Sequence, residues 1–389
     1  MSPEAGRAIE DAFRHGRALL KFISANDTGL TGSHQRGFYL PKAAWQLFTP
    51  HAPEKDRCDK SNVRITWQDG IVTQSVVTWY GAKTRSEYRL TSFGRGFRWL
   101  RHDLVGALLV LVPISHQEFV AYVIEHDEDI ADVQAALNVF AIERWAVFIA
   151  DREEETIESC TDRLFREFAE STTAFPDTLT ISEKTREVVH ACAAAIASRS
   201  IDEQLVEFIR HELMLFKMIE RRFYEADVRR TFADIDDFVN TALSILNARK
   251  ARAGRALENH IEFLFRQAGI PFQMRAVVEG TRPDIVIPGR YEYELALRGR
   301  YPAEKLIVIG VKTTCKDRWR QVLNEAPLVA RKHILTLQEG ISPKQLEEMH
   351  RSNVALIVPK ALHGKYPYER HIELLDLETF IESVRRTLS

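Results

Sequence analysis

The chain has little cysteine, no long apolar run and almost no net charge. Its four cysteines, Cys58, Cys160, Cys192 and Cys315, stand far apart with no CxxC pair, so neither a zinc module nor a disulfide framework is expected and a reducing cytosol fits. The longest apolar run, Val105 to Ile114, falls short of the roughly 20 residues a spanning helix needs and reads as a buried strand. The opening MSPEAGRAIEDAFRHGRALL carries acids and lacks the apolar centre of a signal peptide. A cytoplasmic protein with no membrane partner is expected. The 53 basic and 55 acidic residues leave a formal charge of -2, so any nucleic-acid contact must come from local patches. Apolar residues make up 45% of the chain, which excludes disorder as the dominant state.

What is present divides the 389 residues into more than one domain. From Arg64 to about Ile114, segments such as RITW, IVTQSVVTWYG and LVGALLVLVPI predict strands. The stretch AALNVFAIERWAVFIADREEETIESCTDRLFREFAE then carries apolar residues at three- and four-residue steps and predicts a helix ending near Glu170. STTAFPDTLT reads as an exposed connection. These signals place an all-β or barrel-like domain at 1–170, a linker at 171–181 and a second domain at 182–389. The second opens with long helical patterns and continues as alternating strands and helices, an α/β sheet with helices on its faces.

Phosphodiester hydrolysis needs carboxylates to hold a divalent cation and usually a lysine near the scissile phosphate. Asp284 opens one short predicted strand and Lys312 ends the next, which would bring them to one sheet edge. This is the layout of PD-(D/E)xK nucleases with one element missing. Gly310 stands two residues before Lys312, where that motif carries an acid. Glu325 is the best substitute, on a predicted helix whose Trp319, Val322, Leu323 and Ala326 form an apolar stripe. Glu258, on the preceding long helix, is a further candidate metal ligand, its alternative being a surface acid paired with an arginine. His260 and His333 read as packing or surface residues.

The segment GVKTTCKDRWRQVLNEA, with KHILTLQEGIS (Lys332 to Ser342) and VALIVPKAL (Val354 to Leu362), closely resembles the catalytic region of the EcoRII-like type II (type IIE) restriction endonucleases. In that family the aspartate of PD, the first lysine of KTTCK and a helix glutamate form the active site. The resemblance therefore implies Asp284, Lys312 and Glu325, with Mg2+ as cofactor. It also implies roles for Lys316 and for a tyrosine between the two strands, Tyr293, with Tyr291 as competitor.

Lys316, Asp317 and Arg318 follow the catalytic strand directly. Cations donate to guanine and a carboxylate accepts from cytosine N4, so the triplet suits adjacent C·G pairs, although a charged first helical turn explains it too. The first half resembles the family's effector domain, a B3-like DNA-binding pseudobarrel, through KFISANDTGLTGSHQRGFYLPK (Lys21 to Lys42). The resemblance places His34 and Tyr39 at DNA-contacting positions. Lys83, Arg85, Glu87 and Arg89 alternate along KTRSEYR with the family's K-x-R-x-E-x-R spacing, and period two puts all four on one face. Position 88 is Tyr88, where the family can carry lysine.

The resemblance implies a homodimer that cuts double-stranded DNA at the palindrome CC(A/T)GG or a near relative, autoinhibited by its effector domain. The rival reading is a sequence-specific DNA-binding regulator with an inactive nuclease fold, against which the retention of all three catalytic positions argues. A structure-specific repair nuclease leaves the N-terminal reading head unexplained.

Overall fold

The structure is a computed structural model that describes residues 1–31, 36–82, 86–139, 145–150, 160–367 and 372–389. It divides into two compact units, one of Met1–Glu154 with Gln338–Glu348 and Gly364–His371, the other of Glu155–Leu337, Met349–His363 and Ile372–Ser389.

The first unit runs α1 (Pro3–His15), β1 (Arg17–Phe22), β2 (Phe38–Pro41), α2 (Trp45–Phe48), β3 (Cys58–Trp67), β4 (Val72–Tyr80), β5 (Glu87–Thr91), β6 (Leu108–Pro113), β7 (Glu118–Ile124), α3 (Asp127–Ala136) and β8 (Trp145–Ile149). Its eight strands form one sheet in the order β2-β5-β4-β3-β7-β6-β1-β8. All pairs are antiparallel except β3 with β7. The apolar run expected to be a buried strand is β6, and its two faces enter different cores. Leu109 and Leu111 join an aromatic-rich interior with Trp67, Trp79 and Phe38. Leu108, Val110 and Val112 pack against Ala5, Ala8 and Ala12 of α1 and Ile130 and Val133 of α3. Burial on both faces is why β6 lacks apolar–polar alternation.

Two expectations for this half need correction. The long helix expected up to Glu170 is interrupted by β8, which pairs with β1 from Arg17↔Ile149 to Lys21↔Trp145. A tertiary partner decides between strand and helix where periodicity is ambiguous. The half is also not all-β, because α1 and α3 cover one face of the sheet.

The second unit begins with helices α4 (Cys160–Ser171), α5 (Thr178–Cys192), α6 (Ile201–Arg229) and α7 (Ile235–Gln267). Each start has a local cause in the sequence where caps occur. Asp177 caps α5, Ser200 and Glu203 form a capping box on α6, and Asp234 caps α7. Phe165 and Ala169 of α4 pack with Ile181 and Val188 of α5 and Leu215, Phe216 and Ile219 of α6. Cys160 opens α4, Cys192 closes α5, and they form a disulfide across a separation of 32 residues, contrary to the expectation of none. The helical hairpin brings together two residues whose spacing carries no local signal.

The chain continues through β9 (Gln273–Met274), β10 (Ile285–Ile287), α8 (Arg290–Leu297), β11 (Ile307–Lys312), β12 (Lys332–Thr336), α9 (Pro343–Arg351), β13 (Val354–Ile357), β14 (Leu374–Leu375) and α10 (Leu377–Leu388). The six-stranded sheet has the order β14-β13-β12-β11-β10-β9. Neighbours from β11 to β14 are parallel, whereas β10 is antiparallel to both β9 and β11. No helix among the described residues is long and apolar enough to cross a membrane.

Candidate functional site

The antiparallel β10–β11 pair makes the site. Ile285 faces Ile309 in register, so the start of β10 and the end of β11 share one edge. Asp284 Oδ2 accepts from the Val311 amide at 2.7 Å and from Lys312 Nζ at 2.8 Å. Both side chains keep partial solvent access, 18% for Asp284 and 14% for Lys312.

The geometry explains the missing acid. A Cβ built on Gly310 would lie 3.3 Å from Val322 Cγ2 and 3.9 Å from Asp284 Oδ2. The position faces Asp284, and Val322 crowds it, so a side chain there would have to push Val322 back. Val322 belongs to the segment that brings Glu325. The expected helix there is a short 3-10 helix, Arg318–Asn324, with Trp319 and Val322 buried. Glu325 is therefore not on a helix but follows its end in extended conformation, φ -88° and ψ 140°. Burial raises the Glu325 pKa, the Asp284 charge raises it further, and Lys312 and Lys332 oppose. Its Oε2 is buried with no hydrogen-bond partner among the described residues.

Glu258, from α7, is pushed up to about 7 by burial and then by Asp284, against Arg255 and Lys312. The Arg275 guanidinium forms a close ion pair with the same carboxylate, which favours its charged form. Arg275 had no sequence signal, since it lies on a single turn outside any periodic element. Glu325 and Glu258 thus each sense the Asp284 charge, and carboxylate oxygens are the hard donors a divalent cation takes. Among the described residues no three such side chains form a preassembled metal cage. Lys312 and Arg275 instead hold two of the three acids.

The raised pKa values make a pH-linked test. An acid with a raised folded pKa binds a proton more tightly in the folded state, so stability falls as pH rises from the ordinary carboxylate range through about 7, the value for Glu258. A cation competes with that proton. A magnesium ion held by these acids should therefore raise the thermal midpoint more at pH 8 than at pH 6, and an equal shift at both would exclude Glu258 and Glu325 as its ligands.

Lys316 is only 5% exposed, and Asp317 and Arg318 are half-buried at the start of the 3-10 helix. Tyr293 is fully buried on α8; its hydroxyl donates to Glu279 and accepts from the Leu328 amide at 3.2 Å. Tyr293 thereby holds the loop after Glu325, whereas Tyr291 is 68% exposed. His260 and His333 are buried, and burial lowers both pKa values, His333 to about 4.

In the first unit, Glu87, Arg89 and Tyr39 lie on the partly exposed face of β5 and β2, with Tyr88 and Leu90 turned into the core. Tyr39 pairs with Arg89 in register, and the Arg89 guanidinium sits 4.1 Å above the Tyr39 ring. Tyr88 is buried beside Trp79 at 4.9 Å. His34, Lys83 and Arg85 lie outside the described residues. A buried ion pair missed in the sequence, Lys21 with Asp27, ties this face down. Asp27 also accepts from Ser24 N at 2.7 Å and from Tyr39 N at 2.8 Å.

Both halves of the chain are similar to known proteins. The family model for the EcoRII C-terminal region matches residues 216–381, and that for the N-terminal region of restriction endonuclease EcoRII matches residues 14–149. The chain is 31% identical over 404 aligned positions to the type II restriction enzyme EcoRII of Escherichia coli, across 96% of this chain and 95% of that one. It is 26% identical over 153 positions to the type II restriction enzyme SsoII of Shigella sonnei, across 36% and 48%. A solved complex of restriction endonuclease PspGI with substrate DNA aligns at 15% identity with a TM-score of 0.44, covering 55% of this chain and 93% of that one. By full-length similarity to a curated relative, with both halves matched, the chain belongs to the EcoRII family of type II restriction endonucleases.

Proposed function

We propose that the chain is a homodimeric, magnesium-dependent endonuclease that cuts double-stranded DNA at CC(A/T)GG or a near relative. Its catalytic groups are Asp284, Lys312 and Glu325, with Lys316 and Tyr293 in support. The observation that carries this reading is the edge where Lys312 meets Asp284 and where the crowded Gly310 leaves the second acid to Glu325. Asp284, Glu325 and Glu258 would hold Mg2+, which when bound supplies Lewis-acid polarisation of the scissile phosphate. Lys312, fixed by Asp284, offers its remaining ammonium protons to a phosphate oxygen or to the attacking water. Incubation of unmethylated plasmid with the protein and magnesium, followed by mapping of fragment ends, tests activity and specificity together. Discrete ends at CC(A/T)GG are expected; random ends or none would overturn the reading.

Lys316, Asp317 and Arg318 form the reading triplet of the catalytic domain in this proposal. Arg318→Ala should cost about 1–3 kcal/mol of discrimination at one base pair. Competition binding across base-substituted duplexes measures it, and a uniform loss over all sequences would make Arg318 a phosphate contact.

We assign the first half as a B3-like pseudobarrel effector domain at 1–170, joined through 171–181 to the catalytic domain at 182–389. His34, Tyr39, Lys83, Arg85, Glu87 and Arg89 are its DNA-contacting residues. Support comes from the outward face shared by Tyr39, Glu87 and Arg89. The packing of α4 with α5 and α6 supports moving that boundary from residue 170 to before Cys160, with α4 among the helices of the catalytic half. Autoinhibition rests on the match of the first half to the N-terminal region of the EcoRII family. Dimerisation is supported by an exposed apolar stripe on α7, where Ile235 is 80% and Phe238 53% exposed, with Val239 and Leu243 alongside. A cytoplasmic setting follows from the proposed role in cutting incoming DNA.

A further inference from the structure

The loop that carries Glu325 is held from three sides by groups to which no catalytic role has been given. Val278 and Thr281 form a two-residue hairpin bridge. Its central residues, Glu279 and Gly280, both have positive φ, 46° and 74°. Such a turn favours asparagine or glycine at its first position, so Glu279 adopts a left-handed conformation that a non-glycine residue rarely holds without compensation. The compensation is its set of bonds, because Glu279 accepts from the Tyr293 hydroxyl and from the Leu328 amide, the latter at 3.3 Å. Thr281 ends the same hairpin. Its hydroxyl donates to Val278 O at 2.8 Å and its oxygen accepts from the Ala326 amide at 2.9 Å. Ala326 is itself left-handed, φ 46°, and immediately follows Glu325.

The third hold comes from the sheet. Lys332 opens β12 and is 4% exposed. Its ammonium donates to Ala326 O at 2.7 Å and closely to Val329 O. A buried ammonium is costly unless its donors are satisfied, and here two of the three are spent on the turn after Glu325. Thr281 also lies three residues before Asp284 in the chain. The Thr281–Ala326 bond therefore ties the strand entry that carries one carboxylate to the loop that carries the other.

We propose that Thr281 and Lys332 are positioning residues for the displaced carboxylate, fixing Glu325 relative to Asp284 through the Ala326 backbone. In a site with the acid at position 310, the strand itself would set the spacing of the two carboxylates. Here the acid sits on a loop, and the clamp takes over that task. The inference rests on the assignment of Glu325 as the second catalytic acid.

The test uses the full-length protein with Thr281→Val, Thr281→Ser, Lys332→Met and Glu325→Gln. One readout is the magnesium concentration for half-maximal cleavage of plasmid carrying the CC(A/T)GG site. The other is the gain in affinity for a duplex of the same site when calcium is added, which reports cation capture without turnover. Thr281→Val and Lys332→Met should raise the magnesium requirement on the order of tenfold and shrink the calcium gain in step. Metal-free duplex affinity and the thermal midpoint should stay near wild type, and Thr281→Ser should restore wild-type behaviour by keeping the hydroxyl. Wild-type metal dependence in both Thr281→Val and Lys332→Met overturns the proposal. So do losses that run in parallel through metal-free binding and melting, since both residues would then only support the fold. Glu325→Gln separates the two levels: cleavage at the wild-type rate removes Glu325 from the site, whereas an inactive Glu325→Gln beside unaffected Thr281 and Lys332 variants removes only the positioning role.

Discussion

Asp284→Ala and Glu325→Ala should each reduce cleavage on the order of 1,000-fold or more while leaving specific DNA binding intact. Asp284 is the acceptor for both Lys312 Nζ and the Val311 amide, so its loss removes a proposed cation ligand and frees the lysine together. Glu325 adds the second charge at the same edge, and its Oε2 has no hydrogen-bond partner among the described residues. The proposed reading residues, Lys316 to Arg318, are retained in both variants, so sequence preference in a gel-shift assay should persist. Removing a carboxylate also lessens repulsion of the phosphate backbone, and metal-free binding should be equal to wild type or tighter. Wild-type cleavage by Glu325→Ala would mean that the displaced acid lies elsewhere, with Glu258 the next residue to replace.

Deletion of the first half should raise activity on plasmid with a single recognition site. A closed state that leaves about 1–10% of molecules open predicts a gain of about 10- to 100-fold when that state is removed. The packing of α4 sets where to cut. A chain beginning near Ile181 would lose α4 and the Asp177 cap of α5, whereas one beginning at Glu155 keeps both, along with the Cys160–Cys192 disulfide. The intact enzyme should require further recognition sites, supplied on the same or another DNA, to reach the rate of the fragment. Cleavage of single-site plasmid by both proteins at equal concentration decides the matter. A folded fragment no faster than the full chain would leave the N-terminal half as a targeting module without inhibitory effect.

Much of this protein was legible before any coordinates. Periodicity and β-branched content marked β3, β4, β6 and the strands from β10 to β13, because local pattern and tertiary burial agree there. The end of α7 carries a local stop of its own, Gly269, which adopts φ 70° just past the helix end. The pairing of Asp284 with Lys312 followed from two adjacent strands meeting at one edge. The role proposed for Glu325 needed the family resemblance, since one acid near an apolar stripe is a common surface feature.

What failed shares one physical reason. β8 reads as helix because its apolar spacing suits both periods, and only pairing with β1 selects the strand. The Cys160–Cys192 disulfide, the Arg275–Glu258 pair and the Lys332 contacts all join residues through returns of the chain that leave no local pattern. The 3-10 geometry of Arg318–Asn324, likewise, goes with the burial of Trp319 and Val322, the latter against Gly310. The sequence by itself determined which chemistry was available: two carboxylates, a lysine and a glycine at fixed separations along the chain. Only the tertiary structure decided that Val322 crowds Gly310 and where Glu325 stands, because the room for a side chain depends on what another segment has already filled.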